Sequence, residues 1–188
     1  TLAETLIARS ERGIVAVILK DNSNTTKTAV YTKESEIVKS HYTATNLAYL
    51  SLVFMGGPSK VIVERVQTSD DISDALERLK NERWYYLVVP GLGDGETDTV
   101  VEYIKEQRTQ YHKTFKAVLP SVTADNEGII NFATDNIKVG AKTYTTAEFC
   151  CRIAGILAGL PLNRSATYYT LPEVESITES ETPDDDVD

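Results

Sequence analysis

Gly91-Leu92-Gly93-Asp94-Gly95-Glu96 has the composition of a loop that could cradle a phosphate. Glycines let the backbone come close to a ligand, and free N–H groups at a helix start attract an anion. The spacing departs from both known versions of this chemistry. The third glycine comes one residue early for the dinucleotide-binding pattern, and no Lys-Ser/Thr pair follows as in a P-loop. Asp94 and Glu96 also place negative charge where a phosphate would rest. The stretch reads as a turn with acidic residues favourably placed near a helix N-terminus. A nucleotide- or phosphate-binding α/β enzyme using the Gly91–Gly95 loop is the alternative function.

The other reactive residue types form no constellation. His41 and His112, the only histidines, lie in polar stretches without a Cys, His or carboxylate at ligand spacing, and read as surface residues. No Gly-x-Ser-x-Gly elbow is present to suggest a nucleophilic serine. Cys150 and Cys151 are neighbours, too strained to bridge, and Arg152 points elsewhere on the same helix, so both read as small core residues. Asp184-Asp185-Asp186 lacks the glycine and terminal glutamate of a calcium loop and reads as a solvated tail. Trp84, Tyr85, Tyr86, Tyr168 and Tyr169 read as core and strand residues. No catalytic, cofactor-binding or metal-binding residue is assigned, and no cofactor is expected.

These residues hang on a regular series of elements. The near-continuous apolar run from Gly13 to Leu19 predicts a buried strand, and Ala29-Val30-Tyr31 a short edge strand. Leu47, Leu50, Val53 and Phe54 predict a helix over Thr43 to Met55, closed by Gly56-Gly57-Pro58. A strand follows at Lys60–Val66. Ile72, Ala75, Leu76 and Leu79 then fall on one helix face, capped by Ser69 or Asp70. Further strands are expected at Tyr85–Val89, Phe115–Leu119 and Ile129–Phe132, with a helix through Val100, Val101 and Ile104 to about Tyr111. Thr145 and Glu148 have capping-box spacing for a helix to Gly159, whose apolar face holds Phe149, Ile153, Ile156, Leu157 and Leu160. Ala154, Gly155 and Ala158 keep its other side slim. The alternation predicts an α/β fold of βαβ units, a largely parallel sheet with helices on its faces.

At 188 residues the chain can build a core without disulfides or metal. No apolar run is long enough to span a bilayer, and no secretory pattern opens the sequence, so a cytoplasmic origin is expected with no membrane partner. From Glu173 onward there are eight acidic residues and no Lys or Arg; setting them aside takes the net charge from −9 to −1. A nearly neutral body gives no basic surface for nucleic acid. The acidic end cannot bury enough apolar surface to order itself.

The stretch Ala8-Arg9-Ser10-Glu11-Arg12-Gly13-Ile14-Val15-Ala16-Val17-Ile18-Leu19-Lys20-Asp21 resembles the start of contractile-tail sheath subunits of prophages and phage-tail-like bacteriocins in Gram-positive bacteria. A second match runs from Glu127-Gly128-Ile129-Ile130-Asn131-Phe132 into Ile137-Lys138-Val139-Gly140. It continues through Arg152-Ile153-Ala154-Gly155-Ile156-Leu157-Ala158-Gly159-Leu160-Pro161-Leu162 to Ser165-Ala166-Thr167-Tyr168. The likeness extends to about Ile177.

That resemblance implies a structural subunit, not an enzyme. Its partners would be copies of itself in a helical sheath and, through a further C-terminal domain, tail tube and baseplate proteins. It would be assembled in the bacterial cytoplasm and would work in a virion tail or phage-tail-like particle. The resemblance also implies a division into residues 1–12 as the remainder of an N-terminal arm, 13–171 as the outer α/β sheath domain, and 172–188 as an acidic linker. A C-terminal domain would be expected to follow that linker, outside these 188 residues. The fragment alone is expected to be monomeric.

Overall fold

The computed structural model describes residues 12–161, 174 and 176–178. Nine strands and four α-helices, with two 3-10 turns at Glu34–Glu36 and Lys39–His41, make up the described fold: β1 Ile14–Lys20, β2 Thr28–Tyr31, α1 Ala44–Phe54, β3 Lys60–Val66, α2 Ser73–Leu79, β4 Tyr86–Val88, α3 Glu96–Thr109, β5 Lys116–Pro120, β6 Ile129–Phe132, β7 Asp135–Val139, β8 Lys142–Tyr144, α4 Thr146–Gly159 and β9 Ser176–Thr178. The main sheet has the order β2-β3-β1-β4-β5-β6. All its pairings are parallel except β2 with β3. This is the α/β architecture that the alternation of strands and helices predicts.

Strand β1 is apolar throughout because both sides of the sheet are covered. Ile14, Ala16 and Ile18 enter one core with Leu76 and Leu79 of α2 and Val100 and Ile104 of α3. Val15, Val17 and Leu19 enter a second core with Leu50 and Val53 of α1 and Cys151 and Ala154 of α4. Side chains alternate along a strand, so one heptapeptide serves two helical layers.

Helices α1 and α4 pack unusually close. A Cβ on Gly155 would collide with the carbonyl oxygen of Val53, and one on Gly159 with that of Gly56. The slim side of α4 expected from its small residues is therefore the side that meets α1. Gly57 turns left-handed just beyond α1, at φ 79°, as the Gly56-Gly57-Pro58 stop predicts.

Several expectations are corrected. Helix α2 begins at Ser73, after Ser69 and Asp70, and the carboxylate that accepts from the Ser73 N–H, at 2.7 Å, is that of Asp71. Helix α3 ends at Thr109, short of Tyr111. A second sheet, in the order β8-β7-β9, had no counterpart in the sequence reading. Its strand β9 lies in the acidic end that was expected not to order itself. Ser176–Thr178 pairs antiparallel with β7, since hydrogen bonding to an existing strand needs no apolar side chains. Tyr168, Tyr169 and Asp184 to Asp186 lie outside the described residues.

Candidate functional site

In an open α/β sheet a ligand binds at the carboxyl ends of the strands, where successive connections turn opposite ways. Here that point lies between β1 and β4. The chain leaves β1 toward β3 on one side, and leaves β4 toward β5 on the other. The Gly91–Gly95 loop sits at this position, between β4 and α3, with Gly95 left-handed at φ 77°.

The crevice is filled by the protein itself. Glu96, the first residue of α3, is buried, and its Oε2 accepts a hydrogen bond from the Gly93 N–H at 2.5 Å. Its Oε1 meets Nζ of Lys20, the last residue of β1, at 2.8 Å. A carboxylate therefore stands at the helix N-terminus where a phosphate would stand, with a backbone donor and a lysine already engaged. The sequence reading placed Glu96 near the helix start as an unfavourable neighbour for phosphate. The structure adds Lys20, whose position beside α3 only the parallel pairing of β1 and β4 reveals.

Beside it, over the ends of β1 and β3, lies an open groove of ≈ 840 Å³ lined by Asp21, Lys27, Arg65, Asp70 and Arg78 among others. Three of its charged groups, Arg78, Arg65 and Asp21, are engaged within the chain. The Arg78 Nε is 2.5 Å from the Glu64 carboxylate, and its Nη2 donates to the Arg65 carbonyl at 2.9 Å. Arg65 donates to the carbonyls of Thr26 and His41 and lies over the Tyr42 ring, 4.6 Å from its centroid. The Tyr42 hydroxyl is pushed up by burial and by its hydrogen bond with Tyr31.

Asp21 is the most constrained of these groups. Its carboxylate accepts from Ser23 N at 2.8 Å, Thr43 N at 2.9 Å and Asn46 Nδ2 at 2.7 Å. Burial pushes its pKa up, but these donors outweigh burial and hold it at about 2. Asn46 also donates to the Lys20 carbonyl, at 3.0 Å, so the start of α1 is tied to the end of β1. The arrangement is structural: each acceptor is used within the chain.

The remaining candidates stay apart. His41 is half-buried, and His112 is exposed in the connection between α3 and β5. Cys150 and Cys151 are buried, and burial pushes the Cys150 thiol up to about 12, away from nucleophilic use. Trp84 stacks on Phe115 at 3.7 Å and donates to the Leu79 carbonyl, as a core residue does. Among the described residues no group of three or more His, Cys, Asp or Glu could hold a metal, and no helix is long and apolar enough to cross a membrane.

Comparison with known proteins supplies what no pocket does. Residues 66–186 match the family model of the phage tail sheath protein central domain. The tail sheath protein of Clostridium phage phiCD119 is 38% identical over an alignment of 184 residues, which covers 94% of this chain and 51% of that protein. The chain thus spans about half the length of the curated relative it matches. Among solved structures, the sheath tail protein of Desulfitobacterium hafniense superposes with a TM-score of 0.76 at 15% identity, over 92% of this chain and 65% of that one. The sheath tail protein of Listeria innocua gives 0.71 at 13% identity, over 86% and 61%. At those identities the two structures speak for the fold; the family match and the phage relative speak for descent. By these matches the chain belongs to the phage tail sheath protein family.

Proposed function

We propose that this chain is part of a structural subunit that polymerises with its own copies into a contractile sheath around a tail tube. Contraction would drive the tube through a target envelope, in a virion or a phage-tail-like particle assembled in the bacterial cytoplasm. The observation that carries this reading is the match to the sheath central-domain family from β3 into the acidic end. The filled crevice supports a non-enzymatic role, since Glu96 and Lys20 occupy the place where an α/β enzyme would hold its nucleotide.

In this reading residues 13–171 are the outer α/β domain, residues 1–12 belong to an arm ahead of it, and residues 172–188 lead toward the tube-contacting part of the subunit. Contraction would proceed by rigid-body rotation of such domains with repacked interfaces, from an extended state held kinetically. A rigid outer domain suits that task. The close α1–α4 contact and the two-sided core leave the sheet little freedom to deform.

Electron microscopy of the complete gene product in negative stain tests the proposal. Hollow tubes or stacked rings are expected. Uniform small particles across a range of salt would overturn it. The 188-residue chain alone is expected to sediment as a monomer, and filaments formed by it at micromolar concentration would contradict the view that further segments are needed to polymerise.

A further inference from the structure

Tyr103 and Gln107 of α3 leave their hydrogen-bonding capacity unused. Gln107 is fully buried, and both its amide oxygen and its amide nitrogen are sealed from solvent without a hydrogen-bond partner. The Tyr103 hydroxyl, one turn earlier, is in the same position. Among the described residues these are the two side chains in which every polar atom is so placed. Arg65 lacks a partner only at Nε and donates to two carbonyls through its other nitrogens, and in Arg152 Nη1 alone is affected. A buried amide or hydroxyl left without a bond lowers the folding equilibrium constant on the order of tenfold per group. The pair therefore points to a polar ligand.

Their placement on the helix joins them. Val100, Tyr103, Ile104 and Gln107 stand at i, i+3, i+4 and i+7, the stripe that α3 turns toward the core it shares with β1 and α2. Cβ atoms one turn apart on a helix are about 5–6 Å from each other. Helical side chains lean toward the N-terminus, so Gln107 leans toward Tyr103. The Lys113 N–H donates to the Gln107 carbonyl at 3.0 Å, which pins the backbone of this last turn. Burial, with the carboxylates of Glu77 and Glu106 nearby, pushes the Tyr103 hydroxyl pKa up, so the phenol stays neutral. The other two members of the stripe, Val100 and Ile104, offer no charge. The ligand is therefore small, uncharged and able both to donate and to accept.

We propose that Gln107 and Tyr103 hold one internal water molecule in the C-terminal half of α3. The water donates to Gln107 Oε1 and accepts from its Nε2, the cyclic arrangement open to any primary amide, and its third bond is to the Tyr103 hydroxyl. Three bonds are usual for a buried water. A polar residue at the i+7 position of a buried stripe then has a reason that packing alone does not give. The water ties two turns of α3 to each other from the core side. The inference rests on these two residues and holds whether or not the sheath reading does.

Nuclear magnetic resonance of the full 188-residue chain tests it. The wild type is expected to show cross peaks between the Gln107 side-chain NH2 and a long-lived water, with the sign that separates dipolar contact from proton exchange. Magnetic relaxation dispersion should count one long-lived water fewer in Gln107→Met, which keeps the length of the side chain without its amide. Gln107→Met and Tyr103→Phe are each expected to lower the folding equilibrium constant severalfold, and the double variant by less than the product of the two. Absence of the water cross peak in the wild type overturns the proposal even if a variant fails to fold. A folding constant unchanged or raised in Gln107→Met overturns it too, since a dry buried amide gains from replacement by an apolar chain. So does a cross peak from the Gln107 amide to another side chain in place of water, which would give the amide a direct partner.

Discussion

Lys20 and Glu96 join the end of β1 to the start of α3 through an ion pair of 2.8 Å, across the point where an α/β sheet would open to a ligand. The pair is more than a surface contact, because Glu96 is buried and its other oxygen holds the Gly93 N–H. Replacing Glu96 by Ala leaves Lys20 without its partner and the loop without its anchor. A loss of about 2–3 kcal/mol in unfolding free energy is expected. Glu96→Gln keeps an acceptor for Gly93 and should lose less, about 1 kcal/mol. Urea midpoints of the two variants decide the matter: an Ala variant as stable as the wild type would mean that the crevice is not held shut by this residue.

The approach of Gly155 to Val53 gives a second prediction of definite sign. In an exposed helix, Gly to Ala would stabilise by about 1 kcal/mol through the backbone. Here the new methyl group would overlap the Val53 carbonyl, and Gly56 and Gly159 leave no slack beside it. Parting two packed helices costs more than the propensity returns, so Gly155→Ala should destabilise by about 1–2 kcal/mol net. A thermal midpoint at or above that of the wild type would show that α1 and α4 can separate without penalty.

What could be read from the sequence follows from how each element is buried. Strand β1 was plain because burial on both faces makes it a continuous apolar run. Helix α4 was plain because Thr145 and Glu148 form the capping box their spacing suggests. Strand β7 was missed because Ile137 is its only fully buried residue, which leaves no alternation to detect. Strand β9 was missed because its composition says acidic linker, and its pairing depends on backbone hydrogen bonds that leave no trace in side-chain type. At the candidate site the charge of Glu96 was legible and its partner was not. Lys20 comes near it only through the parallel register that sets Val15 to Val17 against Tyr86 to Val88. The family, in contrast, was legible from local sequence, which records descent whether or not a site is present.

Asp21 gives the protein a defined acid sensitivity. Its carboxyl is held at about 2, against an ordinary 3.8, by donors from Ser23, Thr43 and Asn46 that overcome the opposing effect of burial. A folded-state pKa below the unfolded one means that the ionised form is favoured by folding. The contribution is therefore complete above about pH 4 and is lost as the pH falls through about 2. Its size is about 2 kcal/mol at neutral pH. Asp21→Asn removes the charge and puts an amide donor among N–H donors, so it should cost at least about 2 kcal/mol near pH 7. The gap between wild type and variant should narrow steadily from pH 4 toward pH 2, as the wild type takes up its proton. Urea unfolding of both proteins at several pH values measures this. A gap that stays constant down to pH 2 would show that Asp21 stabilises the start of α1 by shape alone, without its charge.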